Sequence, residues 1–364
     1  MFLQIHFPFY ILLVVVTILS VITLLLAGRL IRTKLFKQPL APSLLGRKIL
    51  FIPVLSIDII LIGCVLYGCL IEPNFIQVNS FSYTSKKVTS SPAPPPEAGD
   101  SLSSRAPFWD SLLSGVPSGR TFRVNPETKW SGGAKRSGVR IVHISDLHIE
   151  EESKRELAVP DMVNNLNPHI IVMTGDYLNE GAPVDYLKRF LAKLKCPFGI
   201  YAVSGNWDTN SIMSVLKESG VTLLDDRKII LNIHGTQINL YGLSFSSGLN
   251  RAKKTLDELG AENEGLNILL CHMPDIFPDI ENINMDFVLC GHTHGGQVRI
   301  PFYGALVTLS RYGKLFEEGW YKSGNTMMYV NRGIGLEGMA PAPRVRFLCR
   351  PEIMLLEVSR IALP

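Results

Sequence analysis

The sequence carries little charge, and it lacks a basic stripe in the part expected to fold. Charged residues make up 19% of the 364-residue chain, and the formal net charge at pH 7 is only +4. Six basic residues and no acidic ones lie between Gly28 and Lys48, so the rest of the chain is close to neutral. Because a nucleic-acid-binding surface needs clustered positive charge, we expect no nucleic-acid partner.

Cysteine is scarce as well, and the positions of the six cysteines argue against a disulfide framework. Of the six cysteines, Cys64 and Cys69 lie in an apolar run and the other four are scattered. Cys271 and Cys290 each end an apolar, strand-like run, where a free cysteine packs as a small hydrophobic residue. Free thiols favour a reducing compartment.

Hydrophobic residues are present in excess, and the surplus lies at the N-terminus. Residues 7–28 contain no charge, and Asp58 is the only charged residue in 49–71. About 20 apolar residues in a helix cross the hydrocarbon core of a bilayer. A cleaved signal peptide would have a basic start and a shorter apolar run. We therefore predict a membrane anchor over residues 1–71 with two transmembrane helices, at about 7–28 and 49–71.

The side of the membrane on which the rest of the chain lies stays open. The positive-inside bias would keep the basic connector in the cytoplasm and place both termini outside. The free cysteines favour the opposite orientation.

Residues 72–138 are predicted to hold a juxtamembrane strand, starting near Phe75, and a flexible insertion. From residue 89 to 120, 17 of 32 residues are Ser, Pro or Gly. Such a segment cannot bury enough apolar surface to offset the entropy of ordering its backbone.

Residues 139–364 are predicted to form one α/β domain with two packed β-sheets flanked by helices. Helix-compatible stretches cover 151–166 and 184–194. Apolar, β-branched runs predict buried strands at 139–144, 169–173, 199–203, 267–270 and 285–289. Shorter alternating runs, predicted to be antiparallel strands, occupy 228–233, 237–241, 327–330 and 352–358.

Polar side chains follow each of the five buried strands. They are Asp146, His148, Asp176, Asn206, His272, His292 and His294. Because sites in α/β sheets form at the carboxyl ends of strands, we expect these side chains to meet at one sheet edge. Glycine precedes Asp176, Asn206 and His292 and permits a tight turn at each.

This set of imidazole, carboxylate and amide groups suits Mn²⁺, Fe or Zn²⁺ and suits Ca²⁺ poorly. Seven ligands are too many for one tetrahedral ion and match two divalent ions that share a carboxylate. Each motif alone is common in ordinary turns, but four of the eight histidines fall in these motifs. The remaining histidines, His6, His143, His169 and His234, are predicted to be structural.

The motifs Asp146-x-His148, Gly175-Asp176, Gly205-Asn206, His272 and Gly291-His292-x-His294 resemble the five-block signature of the calcineurin-like metallophosphoesterases. The resemblance covers residues 139–358 and implies a four-layer sandwich with two metal ions, most often Mn²⁺. It implies that Asp146, His148 and His294 hold one ion. Asn206, His272 and His292 would hold the other, with Asp176 as the bridge. It also implies that a hydroxide between the ions attacks phosphorus in line, while Asn206 stabilises the developing charge.

Further features resemble a bacterial branch of membrane-associated phosphoesterases that includes UDP-2,3-diacylglucosamine hydrolases of lipid A synthesis. These features are Glu72-Pro73, the segment 295–298 and the segment 346–353. The resemblance implies a lipid-linked nucleotide or another phosphorylated small molecule as substrate. It also implies several spans in the inner membrane of a bacterium, with the bilayer as a partner and catalysis on its cytoplasmic face.

One position departs from the family pattern. Many members have a histidine directly after the asparagine as general acid, but here the residue is Trp207. General acid catalysis contributes about 10²–10⁴-fold, so a poor alkoxide leaving group would be expelled slowly. A phosphate leaving group needs little protonation, which favours a pyrophosphate or an activated diester. Trp207 is predicted to pack against the substrate, and Asp208 is an alternative proton donor.

Two alternatives stay open at this point. One is a broader phosphodiesterase or phosphatase of the cell envelope. The other is a catalytically silent metal-binding scaffold or receptor that uses Trp207 and the long insertion to bind a partner.

Overall fold

The computed structural model describes residues 55–85, 122–124, 138–337 and 344–360. The helices in these ranges are α1 Leu55–Asn74, α2 Lys154–Asn165, α3 Val184–Lys193, α4 Asn210–Glu218 and α5 Gly248–Leu259. The first eight strands are β1 Gln77–Ser85, β2 Phe122–Val124, β3 Val139–Ile144, β4 Ile170–Met173, β5 Ile200–Ala202, β6 Thr222–Leu223, β7 Arg227–Ile233 and β8 Thr236–Gly242. The others are β9 Leu266–Leu270, β10 Phe287–Cys290, β11 Arg299–Ile300, β12 Gly304–Ala305, β13 Gly319–Ser323, β14 Thr326–Val330 and β15 Glu352–Arg360.

The strands form two large sheets and one small hairpin. The six-stranded sheet has the order β1-β15-β3-β4-β5-β6, and β3 to β6 are mutually parallel. The seven-stranded sheet has the order β2-β13-β14-β10-β9-β8-β7, with a parallel centre of β14, β10, β9 and β8. The hairpin β11–β12 belongs to neither of the large sheets. The α/β prediction is confirmed.

Three of the runs predicted to be antiparallel are mixed in their pairing. Strand β8 is antiparallel to β7 but parallel to β9. Strand β14 is antiparallel to β13 but parallel to β10. Strand β15 is antiparallel to β3 but parallel to β1 over nine residue pairs. Alternation along one strand reports which face is buried and does not report the direction of its neighbours.

Apolar side chains cover both faces of both sheets. Ile141 and Val172 of the first sheet share one buried cluster with Leu240, Ile268 and Leu289 of the second sheet. Helices α2, α3 and α4 cover the outer face of the first sheet, and α5 with the turn 274–280 covers that of the second. The parallel strands read as continuous apolar runs because they are buried on both faces.

Helix α1 is long and apolar enough to cross a membrane, with a mean hydropathy of 2.1 over its best window. Most of its surface is exposed, including Ile59, Ile60 and Leu70. It corresponds to the second predicted span, of which residues 49–54 lie outside the described part of the chain. The first predicted span at 7–28 and the Ser/Pro-rich insertion at 89–120 lie outside the described residues as well.

Candidate metal centre

The candidate ligands lie where strands of both sheets end. Asp146 and His148 follow β3, Asp176 follows β4, and Asn206 follows β5, all in the first sheet. His272 follows β9, and His292 and His294 follow β10, in the second sheet. The expectation of a single sheet edge was therefore wrong. Three further strands, β6 to β8, separate β5 from β9 and carry the chain into the second sheet.

A hydrogen bond joins the loop after β10 in the second sheet to the loop after β3 in the first. The backbone N–H of His292 donates to the carboxylate of Asp146, with both oxygens at 3.0 Å. Glycine at position 291 makes this approach possible, because a Cβ there would overlap Asp146 Oδ2 and Ser145 Oγ. Gly205 is required in the same way beside Asp176.

Five of the seven residues have a left-handed backbone. The φ angles are 50° at Asp146, 40° at His148, 58° at Asp176, 70° at His292 and 51° at His294. Such φ angles are uncommon outside glycine and persist where surrounding contacts enforce them, often at functional sites. The turn at each strand end directs the side chain inward.

These turns bring six side chains into two buried clusters. The first cluster is Asp146, His148 and His294, and the second is Asp176, His272 and His292. Within each cluster the candidate ligand atoms lie within 4.8 Å of one another.

Asp176 lies between the clusters, and Asn206 adjoins the second one. Asp176 Oδ2 lies 3.2 Å from His272 Nε2 in its own cluster and 3.6 Å from His148 Nε2 in the other. The Asn206 Oδ1 atom lies 2.9 Å from His272 Nε2. A carboxylate between two sets of imidazole nitrogens is the arrangement that a shared ligand of two ions requires.

Outer hydrogen bonds orient two of the imidazoles. His272 Nδ1 is 2.7 Å from the Thr174 carbonyl oxygen, which can only accept. His148 Nδ1 is 2.9 Å from Asn179 Oδ1. Each Nδ1 therefore carries its proton, which leaves Nε2 as the nitrogen available to a metal ion, as in metal-binding histidines.

Burial keeps three of the imidazoles neutral. It lowers the pKa of His148 to about 4 and that of His292 to about 3, and it lowers the pKa of His294 well below its usual value. Burial also acts on His272, but there the Asp176 carboxylate outweighs it and raises the pKa to about 10. Neutral imidazoles beside buried carboxylates, with no thiolate in either cluster, fit divalent ions of the Mn²⁺, Fe and Zn²⁺ kind.

The two residues after Asn206 have different surroundings. The Trp207 ring lies edge-on to His148, with centroids 6.0 Å apart, and its backbone N–H donates to Asp176 Oδ1 at 2.9 Å. The Asp208 carboxylate accepts the backbone N–H groups of Asp176, Tyr177 and Gly205 at 2.7–3.0 Å. This favours a positioning role for Asp208 over contact with substrate.

Two buried residues near the clusters were not among the predicted site residues. Glu337 Oε2 lies 3.7 Å from His294 Nε2, and its backbone is bonded to the side chain of Gln297. The Arg346 guanidinium donates to the carbonyl groups of Arg332, Gly333, Gly335 and Cys349 and lies 3.4 Å from His294 Nδ1. It places a buried positive charge behind the first cluster.

A cavity of about 730 Å³ opens beside the second cluster. Its lining includes His272, the apolar residues Leu243, Phe245 and Ile276, and the cationic residues Arg251 and Arg311. The Phe245 ring lies edge-on to His272, with centroids 6.2 Å apart. A ligand bound at the clusters would meet this mixed apolar and cationic surface next.

The remaining described histidines and cysteines lie outside the two clusters. His143 is buried, with Nε2 2.8 Å from Thr174 Oγ1, and His169 accepts the backbone N–H of Arg140. All six cysteines are free, which confirms the absence of disulfides. His6 lies outside the described residues.

Two sheets whose strand ends present facing clusters of imidazoles and carboxylates are the architecture of a metal-dependent α/β hydrolase. Residues 139–296 match the family model for calcineurin-like phosphoesterases. The chain is 33% identical over 234 residues to the metallophosphoesterase YkuE of Bacillus subtilis, covering 61% of this chain and 79% of that protein. The chain belongs to the calcineurin-like metallophosphoesterases and is a phosphoester hydrolase.

Two further relatives have names that state an activity. Phosphodiesterase YaeI of Escherichia coli is 29% identical, covering 60% of this chain and 82% of that protein. The UDP-2,3-diacylglucosamine pyrophosphatase LpxG of Chlamydia trachomatis is 25% identical, covering 60% of this chain and 83% of that protein. Divalent metal ions are characteristic of the family, and the scaffold alternative is not supported.

Proposed function

We propose that this phosphoester hydrolase is tethered to the bacterial inner membrane by α1 and the preceding span. Its proposed substrate is a lipid-linked nucleotide such as UDP-2,3-diacylglucosamine. Water cleaves the pyrophosphate bond, and the products are UMP and a lipid phosphate. The observation that carries the proposal is the position of Asp176 Oδ2, within 3.6 Å of an imidazole nitrogen from each cluster.

The two clusters support the proposed ligand roles. Asp146, His148 and His294 would hold one ion, and Asn206, His272 and His292 would hold the other. Asp176 would be a ligand of both. When bound, two divalent ions supply an activated water for in-line attack and neutralise charge on the phosphoryl oxygens. We propose Mn²⁺ as the metal, and the ligand set also accepts Fe or Zn²⁺.

The chain's own groups act on the substrate around this centre. The Asn206 side chain is close enough to His272 to touch a phosphoryl group held there. Trp207 presents an apolar ring beside His148 where an imidazole acid would otherwise stand. Without that acid, departure of a phosphate is favoured over departure of an alkoxide. The cavity lined by Phe245, Arg251 and Arg311 suits the anionic and apolar parts of such a molecule.

Two observations support a substrate in the bilayer. Helix α1 leads directly into the catalytic fold, since β1 follows it and pairs with β15. The name of the LpxG relative states the same substrate class. A broader phosphodiesterase of the cell envelope is the second candidate, and the name of the YaeI relative favours it.

A comparison of three substrates tests the proposal. The purified full chain with Mn²⁺ is given UDP-2,3-diacylglucosamine, bis-p-nitrophenyl phosphate or an alkyl phosphomonoester. We expect UMP release from the first, slower turnover of the second and little of the third. Preference for the monoester would refute the leaving-group argument. The variant Trp207→His should raise monoester turnover at least about tenfold relative to the UDP-lipid, because it restores a general acid.

The side of the membrane is tested separately. Lipid A precursors are expected at the cytoplasmic face, whereas the basic residues 29–48 favour an external domain. A reporter that is active only outside the cytoplasm, fused after residue 364, should stay inactive under the proposal. An active reporter would exclude cytoplasmic nucleotide-lipids as substrates.

A further inference from the structure

The hairpin β11–β12 carries an apolar tip that nothing in the described structure covers. Phe302 is fully exposed, and Ile300 and Tyr303 are about half exposed. Leu348, on the neighbouring segment, is also about half exposed. Phe302 and Leu348 have φ angles of 66° and 53°, which are rare for side chains of this size. Four large apolar side chains held outward, two of them by an unfavourable backbone, indicate a surface with a ligand of its own.

This surface is connected to the end of helix α1. The backbone N–H of Arg346 donates to the Gly68 carbonyl at 3.0 Å. The ring of Phe347 lies edge-on to that of Tyr67, with centroids 6.2 Å apart. The hairpin joins the same segment, since the backbone N–H of Arg299 donates to the Phe347 carbonyl at 2.9 Å. The exposed tip is thus held against the C-terminal turns of the apolar helix.

Cationic side chains lie over aromatic rings at this surface. The Lys314 Nζ atom lies 4.1 Å from the centroid of the Tyr303 ring, and it donates to the Tyr303 carbonyl at 2.6 Å. The Arg350 guanidinium lies 5.7 Å from the centroid of the exposed Phe75 ring, just beyond α1. Aromatic rings with adjacent Lys or Arg are the composition of protein surfaces at the boundary between lipid and water.

We propose that Ile300, Phe302, Tyr303 and Leu348 form a membrane wedge that enters the headgroup region of the bilayer containing α1. Arg350 would then face lipid phosphates. This inference rests on the proposed membrane tether and adds a second point of attachment. Attachment at one point leaves the domain free to tilt relative to the bilayer, and the wedge removes that freedom.

The wedge also fixes where the candidate metal centre lies relative to the lipid. The hairpin starts five residues after His294. Gly296 packs so closely on Ala305 of β12 that a Cβ on the glycine would overlap it. A wedge seated in the headgroups would therefore hold the loop bearing His294 close to the bilayer surface. A headgroup phosphate could reach the clusters without the lipid leaving the membrane.

Depth measurement in nanodiscs tests the wedge without using the activity. The full chain with Phe302→Trp is placed in nanodiscs of phosphatidylethanolamine and phosphatidylglycerol, and the spectrum of the unchanged chain is subtracted. Ile230→Trp is the matched control, because Ile230 is half exposed on β7 of the second sheet. We expect lipids brominated near the headgroup to quench the added fluorescence of Phe302→Trp at least about twofold more than that of the control. Acrylamide, which quenches from the water, should quench the added fluorescence of Phe302→Trp less than that of the control.

Two outcomes of the quenching experiment would overturn the wedge. Equal acrylamide quenching in both variants would mean that the tip is in water. Protection from acrylamide without quenching by brominated lipid would assign the surface to a second copy of the chain. Failure of UDP-lipid hydrolysis with positive lipid quenching would refute the proposed substrate and leave the wedge standing.

A functional comparison completes the test. In vesicles containing the UDP-lipid, Phe302→Asp should lower kcat/KM for that substrate by about tenfold to a hundredfold, the equivalent of one buried aromatic side chain. Turnover of water-soluble bis-p-nitrophenyl phosphate should be unchanged, since Phe302 lies outside the clusters. An equal loss for both substrates would indicate misfolding and contradict the proposal.

Discussion

Glu72, in the last turn of α1, holds Cys349 through the backbone. The carboxylate accepts the N–H of Cys349 at 2.5 Å and that of Leu348 at 2.7 Å. The Cys349 thiol in turn donates to the carbonyl of His294 at 3.1 Å. A buried carboxylate at the end of the apolar helix is therefore separated from a candidate metal ligand by a single residue. Helix α1 and the candidate metal centre are parts of one hydrogen-bonded unit.

Removal of the Glu72 carboxylate should weaken this unit. Glu72→Ala leaves two backbone N–H groups unpaired and should lower the free energy of unfolding by about 1–3 kcal/mol. Glu72→Gln keeps one acceptor oxygen and should lose less. Denaturant titration of the full chain in detergent measures both. Equal midpoints for Glu72→Ala and the unchanged chain would contradict the role given to this contact.

Loss of the Asp176 charge should prevent the paired ions from binding. Asp176→Asn keeps the shape of the side chain but removes the shared anionic ligand. We expect metal affinity to fall at least about 100-fold and turnover of bis-p-nitrophenyl phosphate to fall with it. Elemental analysis gives the number of metal ions per chain.

The matched control for this variant is Asp161→Asn. Asp161 lies on the exposed side of α2, away from both clusters. It should keep full metal content and turnover. Retention of two ions by Asp176→Asn would exclude the bridging role.

Loss of the hydrogen bond between His148 Nδ1 and Asn179 should weaken metal binding nearly as much as loss of the His148 ligand itself. Asn179→Ala removes the acceptor that fixes the Nδ1 proton of His148. We expect a loss of metal affinity of about 10- to 100-fold with little change in the fold. Asn165→Ala, at the exposed end of α2, is the control and should bind as before. Equal affinities for the two variants would show that His148 needs no outer partner.

Metal binding should strengthen as pH rises. Burial lowers the pKa of His272, but the Asp176 carboxylate, with help from Asp146, raises it to about 10 in the metal-free protein. An ion must displace this proton, so affinity should rise about tenfold per unit between roughly pH 6 and 8. Calorimetry in two buffers of different ionisation enthalpy should detect one released proton.

The exposed His234→Gln variant provides the comparison for this titration and should keep the same slope. Affinity that does not change with pH, with no proton released, would mean that His272 is neutral before the metal arrives.

Much of the fold could be predicted from local pattern. The helix predicted at 184–194 is α3, Val184–Lys193. The helix predicted from 151 begins at Lys154, because the Ser153 side chain caps it by accepting the N–H of Arg155. The buried strands were located to within two residues at their ends, since parallel strands give continuous apolar runs.

The order of the strands within the two sheets could not be predicted in the same way. Local pattern located the candidate ligands at strand ends, but the division of those strands between two sheets depends on contacts between distant segments. Glu337 and Arg346 were missed for the same reason. Each reaches His294 across more than forty residues of chain. Arg346 begins the segment 346–353, but the family resemblance gave that segment no role at the site.

The left-handed turns at Asp146, His148, Asp176, His292 and His294 lie in loops that are joined by backbone hydrogen bonds and close glycine contacts. These contacts should hold the two clusters in one arrangement at every metal occupancy. Ions could then be exchanged without refolding, at rates set by their own hydration. The metal found in the purified enzyme should accordingly follow the supply in the growth medium.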